Sequence, residues 1–353
     1  MKKFNVAIVG AGGIADVHIR AYRQNPEATL YALCDIDEKK LKEKGMKYGI
    51  TRLYTDEKKM LSELPEIDVV DVCTWNSEHA PCAITAMQCG KDVFCEKPMA
   101  TNPQDARKMA ETAEKTGRKL MIGFVRRFGS DARVCKDFIS ADKLGEIYYA
   151  KVSYLRRNGN PGRWFCRKEI SGGGPLIDLG VHMIDLARYL MGNPKPVSVY
   201  GATFDKIGAR KNLKDGVKIS LIDGSAENDV FDVEDLATAL VRFDNGAIMQ
   251  VDASYNLNIK QDLNLIELYG VNGGISLSPS FEYHGVTDGY LTDTTLSNDK
   301  TFTEAAFGRE ISYFFNAIKN DTDISDIARD GIVATDIIDG IYRSAATRCE
   351  VKL

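Results

Sequence analysis

The stretch Asn5-Val6-Ala7-Ile8-Val9-Gly10-Ala11-Gly12-Gly13-Ile14-Ala15 decides the architecture. A short apolar run that reads as a strand passes directly into a G-x-G-x-x-A pattern, and the residues after it read as a helix. Gly10 permits a tight turn, Gly12 lets backbone amides approach a pyrophosphate, and Ala15 is small enough for the helix to pack closely on the strand. The helix start, with Gly13 and Ile14, then offers unpaired N–H groups and positive potential to the phosphates. The next apolar run, 30–34, ends at Asp35. A carboxylate there accepts hydrogen bonds from ribose hydroxyls and repels a 2′-phosphate. Ile36 and Asp37 follow, with no arginine to welcome that phosphate, so the expected cofactor is NAD. Lys39 and Lys40 nearby keep NADP compatible, and a helix-capping role for Asp35 is compatible with both.

Working outward, strands are expected at 5–9, 30–34, 68–74, 92–95 and 119–125. They are short and apolar on both faces, as in a buried parallel sheet. Helices alternate with them, at 79–90 and, most clearly, at 102–117. There Asn102 caps, Pro103 suits the first turn, Ala106, Met109, Ala110 and Ala113 form one stripe, and Gly117 stops the helix. Such β-α alternation implies a doubly wound sheet. Near residue 125 the pattern changes. A helix near 130–140, a strand at 147–156 and a long helix at 175–191 lead into a β-rich region. In it Met249, Val251 and Ala253 alternate with Gln250, Asp252 and Ser254. Asp244-Asn245-Gly246 and Asn272-Gly273 read as tight corners. The 175–191 helix is the natural cover for the apolar face of that sheet, and helices at 309–319 and 329–347 finish the chain. The expected domains are 1–125 and 126–353, with the last helix free to pack back on the first.

Composition excludes several classes. The chain has 353 residues, 44% hydrophobic and 27% charged, with a formal net charge of -4, as in an ordinary soluble globular protein. No basic run interleaved with aromatics suggests nucleic acid. No apolar stretch approaches the ~18 residues of a membrane span, and the apolar run at 6–9 is too short for a leader. The eight cysteines form no C-x-x-C pair and several sit in apolar runs. Reduced, buried thiols and a cytoplasmic setting are therefore expected.

Two segments remain that the sheets do not need. Glu96-Lys97-Pro98 ends the fourth strand, on the edge where doubly wound sheets bind ligands, so Glu96 and Lys97 are expected beside the cofactor. The second is Gly172-Gly173-Gly174-Pro175-Leu176-Ile177-Asp178-Leu179-Gly180-Val181-His182-Met183-Ile184-Asp185. The three glycines let the chain pass close to something. Asp178, His182 and Asp185 fall at i, i+4 and i+7, one face of an otherwise apolar helix, and must find partners. A hydrogen-bonded His–Asp pair in the core satisfies that need, and so does a catalytic pair. No cysteine or further histidine has the spacing to complete a zinc set, so no metal is expected. Hydride transfer needs a cofactor, a base for the hydroxyl proton and a positive group that favours the alkoxide. Gly10–Ala15, His182 and Lys97 meet those needs, with Asp178 orienting the imidazole or binding a substrate hydroxyl.

Together these residues resemble the glucose–fructose oxidoreductase / inositol dehydrogenase / rhizopine-catabolism (Gfo/Idh/MocA) family. The resemblance spans nearly the whole chain. It is carried by the glycine motif, by Glu96-Lys97-Pro98, by the D-x-x-x-H pattern of Asp178 and His182, and by Ile341-Tyr342-Arg343-Ser344. It implies a Rossmann domain joined to an α+β domain for substrate binding and oligomerisation, whose large, mostly antiparallel open sheet packs dimers or tetramers. It also implies a catalytic trio of Lys97, Asp178 and His182, and NAD or NADP chemistry on sugars, polyols and their derivatives. Where the family commonly has T-P-N-x-x-H, this chain reads Thr74-Trp75-Asn76-Ser77-Glu78-His79. Thr74 and Asn76 are thus expected cofactor contacts and His79 a helix-start residue, while Trp75 either stacks on the cofactor or packs. Arg127, Asn158 and Trp164 are the expected substrate contacts, a stacking ring and two hydrogen-bonding groups suited to a polyhydroxylated ring. The leading expectation is a sugar or polyol dehydrogenase. A glycosidase that retains NAD and works by transient oxidation and elimination, and a non-catalytic sugar or dinucleotide sensor, are the alternatives.

Overall fold

The computed structural model describes residues 3–208, 230–277, 280–296 and 305–353, so Met1 and Lys2 of the N-terminal reading lie outside them. The chain divides into two compact units, Met1–Phe128 with Thr303–Ile332, and Gly129–Phe302 with Val333–Leu353.

In the first unit the elements alternate in chain order. They are β1 (Phe4–Val9), α1 (Gly13–Gln24), β2 (Ala28–Cys34), α2 (Glu38–Tyr48), β3 (Leu53–Tyr54), α3 (Glu57–Glu63), β4 (Val69–Val72), α4 (His79–Gln88), β5 (Asp92–Glu96), α5 (Pro103–Thr116) and β6 (Leu120–Gly123). The strands form one parallel sheet in the order β3-β2-β1-β4-β5-β6. This is the doubly wound dinucleotide-binding order, and it reverses between β1 and β4, where such sheets bind ligands beyond the strands' carboxyl ends. Val6, Ala7, Ile8, Val69, Val70, Val93, Phe94, Met121 and Ile122 are fully buried, which is why these strands read as unbroken apolar runs. The caps of α5 are those expected. The Asn102 side chain accepts from the Asp105 N–H, Pro103 opens the helix, and Gly117 is left-handed at φ 63°.

The second unit begins with α6 (Ser130–Ser140), β7 (Ile147–Leu155), the short α7 (Lys168–Ser171) and α8 (Val181–Leu190). There follow β8 (Pro196–Phe204), β9 (Leu236–Phe243), β10 (Ile248–Ser254), β11 (Leu263–Gly270), β12 (Gly273–Ser276), β13 (Glu282–Thr287) and β14 (Tyr290–Thr295). Two long helices, α9 (Ala305–Lys319) and α10 (Ser325–Thr347), precede a last strand, β15 (Val351–Lys352). The sheet order is β14-β13-β12-β11-β7-β10-β9-β8-β15, antiparallel throughout except between β7 and β10. Ala150, Val152, Met249, Val251, Ala253 and Leu268 bury one face. The larger of these, Val152, Met249, Val251 and Leu268, each contribute about 1.5–3 kcal/mol. The segment leading into α8 covers that face: a Cβ added at Gly180 would stand 3.5 Å from the Ala253 Cβ, ordinary contact between helix and sheet.

The 303–332 segment, assigned by sequence to the second domain, clusters with the first unit. The reason lies in the aromatics of α9, where Phe315 stacks on Phe4 at 4.5 Å and Phe314 meets Phe94 at 5.8 Å. Buried ring pairs of this kind hold a helix on a sheet.

Candidate functional site

The phosphate loop separates the two tasks of its glycines. Gly10 lies at φ +101°, and a Cβ there would sit 2.4 Å from the Cys73 carbonyl oxygen and 2.5 Å from its carbon. Gly10 is therefore demanded by the fold. At Gly12 and Gly13 an added Cβ would meet nothing within 4 Å, so close packing of the chain on itself does not account for them. Gly12 is also the N-cap of α1 and offers no side-chain cap, which leaves the first N–H groups of that helix to a ligand. These features fit a dinucleotide pyrophosphate. Asp35 accepts from the Ala11 N–H at 2.5 Å and from the Asp37 N–H at 2.7 Å, and so ties the loop to the end of β2. The cap of α2 is Asp37, which accepts from the N–H groups of Lys39 and Lys40, so the capping role raised for Asp35 belongs two residues on. A carboxylate has about four acceptor sites, and two bonds leave capacity for ribose hydroxyls. Lys44, which the sequence reading passed over, buttresses the loop by donating to the Gly12 carbonyl at 3.0 Å and pairing with Asp16 at 2.8 Å.

At the ends of β4 and β5 the expected contacts separate. Thr74 is half-buried, Trp75 is 39% exposed and Asn76 is buried at the start of a short 3-10 turn. His79 opens α4, as expected, and its Nδ1–H donates to the Pro98 carbonyl at 2.6 Å. Burial holds its pKa below the usual range, so it is neutral. Glu96, expected beside the cofactor, is held by partners within the chain. Only 5% exposed, its carboxylate accepts from His18 Nε2 at 2.9 Å and from the Lys97 N–H at 3.0 Å. The other nitrogen of His18 lies 2.8 Å from Asp71 Oδ2. Burial opposes a charge on His18, but the carboxylate of Asp71 outweighs it and raises the pKa well above the ordinary value. The same pairing with His18 lowers the pKa of Glu96 against the effect of burial. An imidazolium thus bridges two buried carboxylates, and only the paired state avoids a large desolvation cost. Cys73, 3.4 Å from Asp71, has its thiol pushed up to about 12 by burial. His18, Asp71 and Cys73 lie close enough to share a metal ion. The 2.8 Å between Nδ1 and Oδ2 is nevertheless a hydrogen-bond distance, shorter than the roughly 3.3 Å between two tetrahedral zinc ligands. Lys97 itself is half-buried at the end of β5.

In the second unit the expected helix begins differently. Leu176–Gly180 is a π turn, continued by α8 from Val181. An i→i+5 turn shifts Asp178 against the residues that follow, so the i, i+4, i+7 spacing does not describe the three polar groups. Asp178 and His182 are half-buried, whereas Asp185 is buried at 3% exposure. Single π turns are frequent at functional sites. Asp178 Oδ2 accepts from the hydroxyl of Tyr255 at 3.0 Å, and Tyr255 is wholly buried. Burial and then the charge of Asp178 push that phenol far above its usual pKa, so it stays a donor. Arg156, just past β7, donates to the Gly159 carbonyl at 2.9 Å; burial works against its charge, while Tyr154 and Asp178 favour it.

The expected substrate contacts fare unequally. The backbone of Asn158 bridges that of Asn256, and its Nδ2 is buried without a hydrogen-bond partner among the described residues. Trp164 is half-buried and stacked on Phe165 at 3.9 Å. Arg127 pairs with Asp330 at 2.9 Å, both side chains 7% exposed, and lies over the Phe124 ring. That ion pair gives Arg127 a structural task in the first unit, since removing one partner strands a buried charge.

Residues 4–124 match the oxidoreductase family GFO_IDH_MocA, described by its NAD-binding Rossmann fold, and residues 132–276 match the GFO/IDH/MocA C-terminal domain. The chain belongs to the Gfo/Idh/MocA family. A D-glucoside 3-dehydrogenase of Escherichia coli (strain K12) is similar at 34% identity over 352 residues, spanning 99% of this chain and 97% of that protein. A levoglucosan dehydrogenase of Pseudarthrobacter phenanthrenivorans is 27% identical over 78% of this chain and 73% of its own. Among solved structures, an oxidoreductase domain protein from Kribbella flavida superposes with a TM-score of 0.88. It is 22% identical and covers 100% of this chain and 99% of its own, which shows a shared fold. The Gfo/Idh/MocA assignment makes the first unit an NAD-binding Rossmann domain, in keeping with the open cradle at Gly12 and Gly13.

Proposed function

We propose that the protein oxidises a ring hydroxyl of a sugar, with NAD as the hydride acceptor, and that its substrate is a glucoside oxidised at C3. The likeness to a D-glucoside 3-dehydrogenase over almost the full chain, with Lys97, Asp178 and His182 all present, carries this reading. NAD, when bound, accepts the hydride from the carbinol carbon. Gly12, Gly13 and Ile14 at the start of α1 would hold its pyrophosphate, Asp35 its adenosine ribose, and Thr74 and Asn76 would contribute further contacts. The acid at Asp35 supports NAD over NADP. His182 takes the hydroxyl proton, a role that suits an imidazole near neutral pH and is typically worth ~10²–10⁴-fold. The ammonium of Lys97 stabilises the developing alkoxide. Asp178, fixed by Tyr255, orients the imidazole or accepts from a neighbouring substrate hydroxyl. Asn158, whose buried Nδ2 has no hydrogen-bond partner among the described residues, and Trp164 serve the sugar ring. The balance is a secondary alcohol and NAD giving a ketone, NADH and a proton.

The open face of the second sheet supports a homo-oligomer. Tyr200 and Leu240 are register partners across β8 and β9 and are both about half exposed. All eight cysteines are free, which supports a reducing, cytoplasmic setting. Among the described residues, no helix is long and apolar enough to cross a membrane.

The test is isotopic. Methyl glucoside deuterated at its ring carbons is incubated with NAD, and the NADH is weighed by mass spectrometry. Deuterated NADH together with a keto-glycoside is the expected result. Cleavage of the glycoside without net NADH would assign the chain to redox-assisted elimination instead. NAD binding without transfer of label from the sugar would leave a sensor.

A further inference from the structure

The triple glycine at 172–174 faces other parts of this chain. A Cβ added at Gly173 would lie 2.0 Å from the Tyr342 hydroxyl oxygen. One added at Gly174 would lie 2.2 Å from the Glu234 carbonyl oxygen and 3.0 Å from the carbon of its carboxylate. What these glycines admit is therefore the pair Glu234 and Tyr342. The carboxylate of Glu234 accepts from the Gly174 N–H at 2.9 Å through one oxygen. Through the other it accepts from the Leu176 N–H at 3.1 Å and the Tyr342 hydroxyl at 2.9 Å. Pro175, between them, has no N–H to offer, so Glu234 takes both backbone donors available at the helix entry. A negative group at a helix start is also favoured by the helix dipole. Glu234 is 8% exposed; burial raises its pKa, and its hydrogen-bond donors work in the opposite direction.

The same hairpin also holds the next turn. Asp235, beside Glu234 and just before β9, accepts through its carbonyl from the Tyr255 N–H at 3.0 Å, and Tyr255 holds Asp178. The open end of the β9–β10 hairpin thus grips the π turn at its entry, through Glu234, and at Asp178, through Tyr255. We propose that Glu234, braced by Tyr342, is a positioning residue that sets the register of the segment carrying Asp178 and His182. This rests on the reading of Asp178 and His182 as catalytic residues. A π turn has weaker intrinsic support than an α turn, so an external clamp at its start decides whether it persists.

The experiment uses the full chain with NAD and methyl glucoside, comparing Glu234→Gln, Tyr342→Phe and His182→Ala. A second readout, the titration of the His182 imidazole by NMR, needs no substrate. An amide at 234 offers one accepting oxygen and turns an NH2 toward a backbone donor, so kcat is expected to fall at least about tenfold. NAD affinity should be unchanged, because the expected NAD residues all belong to the first unit. Tyr342→Phe, which leaves the carboxylate in place, should lower kcat by about threefold. In both variants the His182 titration and the low-pH limb of kcat/KM should shift. If Glu234→Gln does not fold, Tyr342→Phe decides. Turnover lost in His182→Ala, but wild-type kcat and His182 titration in Tyr342→Phe, overturns the positioning proposal alone. Full turnover in His182→Ala overturns the catalytic reading, and the proposal with it.

Discussion

Replacing Gly10 and Gly12, one at a time, by alanine separates the fold from the cofactor. At Gly10 the new methyl has no room: the Cys73 carbonyl oxygen would be 2.4 Å away and the Thr74 nitrogen 2.8 Å away, all backbone. A φ of +101° is disfavoured for any residue with a Cβ. Left-handed strain costs about 1–2 kcal/mol and forced overpacking about 1–3, so Gly10→Ala should lose roughly 2–5 kcal/mol of stability. Gly12 has φ −75° and ψ −170°, ordinary extended backbone, with nothing within 4 Å of an added Cβ. Gly12→Ala should keep stability to within about 0.5 kcal/mol, as neutral substitutions do. Its methyl should instead hold off the pyrophosphate. One lost hydrogen bond to a charged group, about 1.5–3 kcal/mol, weakens NAD binding roughly ten- to a hundredfold. Urea denaturation reads the first effect, and titration calorimetry with NAD reads the second. Wild-type stability in Gly10→Ala, or wild-type NAD affinity in Gly12→Ala, would refute this division of labour.

Other expectations follow from the buried charges and the loop. Burial raises the Glu57 carboxyl from its ordinary 4.5 to about 7. Its folded pKa exceeds the unfolded one, so the folded state holds the extra proton and stability falls as pH rises from about 4.5 through 7. At ~1.36 kcal/mol per pH unit the whole loss is about 3–4 kcal/mol. Glu57→Gln should abolish that slope in urea titrations at pH 5 and pH 8; an equal slope in the variant would exclude Glu57 as its source. His18, paired with Asp71 and Glu96, should carry protons on both nitrogens at pH 8 by 15N NMR, and a single N–H there would contradict the ion-pair account. Asp35→Asn should move the ratio of NADP to NAD affinity toward NADP by about tenfold. An unchanged ratio would remove Asp35 from cofactor selection.

The first sheet was legible because both its signals are local: unbroken apolar runs, and a glycine turn whose spacing has one common use. Even there α2, β3 and α3 escaped notice. The β3 strand has only two residues, and α2 is mostly lysine and glutamate with a narrow buried stripe at Leu41, Gly45 and Tyr48. Lys97, Asp178 and His182 stood out as polar groups on apolar elements, but their supports were invisible because they are far away in the chain. Glu234 lies 60 residues from Gly174, and Tyr342 lies 108 from Glu234. A hint of the His18 cluster was present. An acid inside the run Val69-Val70-Asp71-Val72-Cys73 must find a buried partner, and a histidine on α1 is one choice. The π turn has no sequence signal in helical spacing. The Arg127 ion pair was invisible for a related reason, since its partner Asp330 lies in a segment assigned to the other domain. The expectation of buried thiols fails where the context is polar: Cys89, between Gln88 and Gly90, and Cys349, between Arg348 and Glu350, are exposed.

The central claim is hydride transfer from a sugar hydroxyl to NAD, and absorbance of NADH tests it most directly. Purified protein is incubated with NAD or NADP and a panel of glucosides, aldoses, inositols, sugar acids and amino sugars. The account predicts growth of the NADH signal with a glucoside, weaker or none with NADP, and loss of the signal in Lys97→Ala and His182→Ala. No signal with any of the panel, from protein that binds NAD in a separate titration, would contradict it.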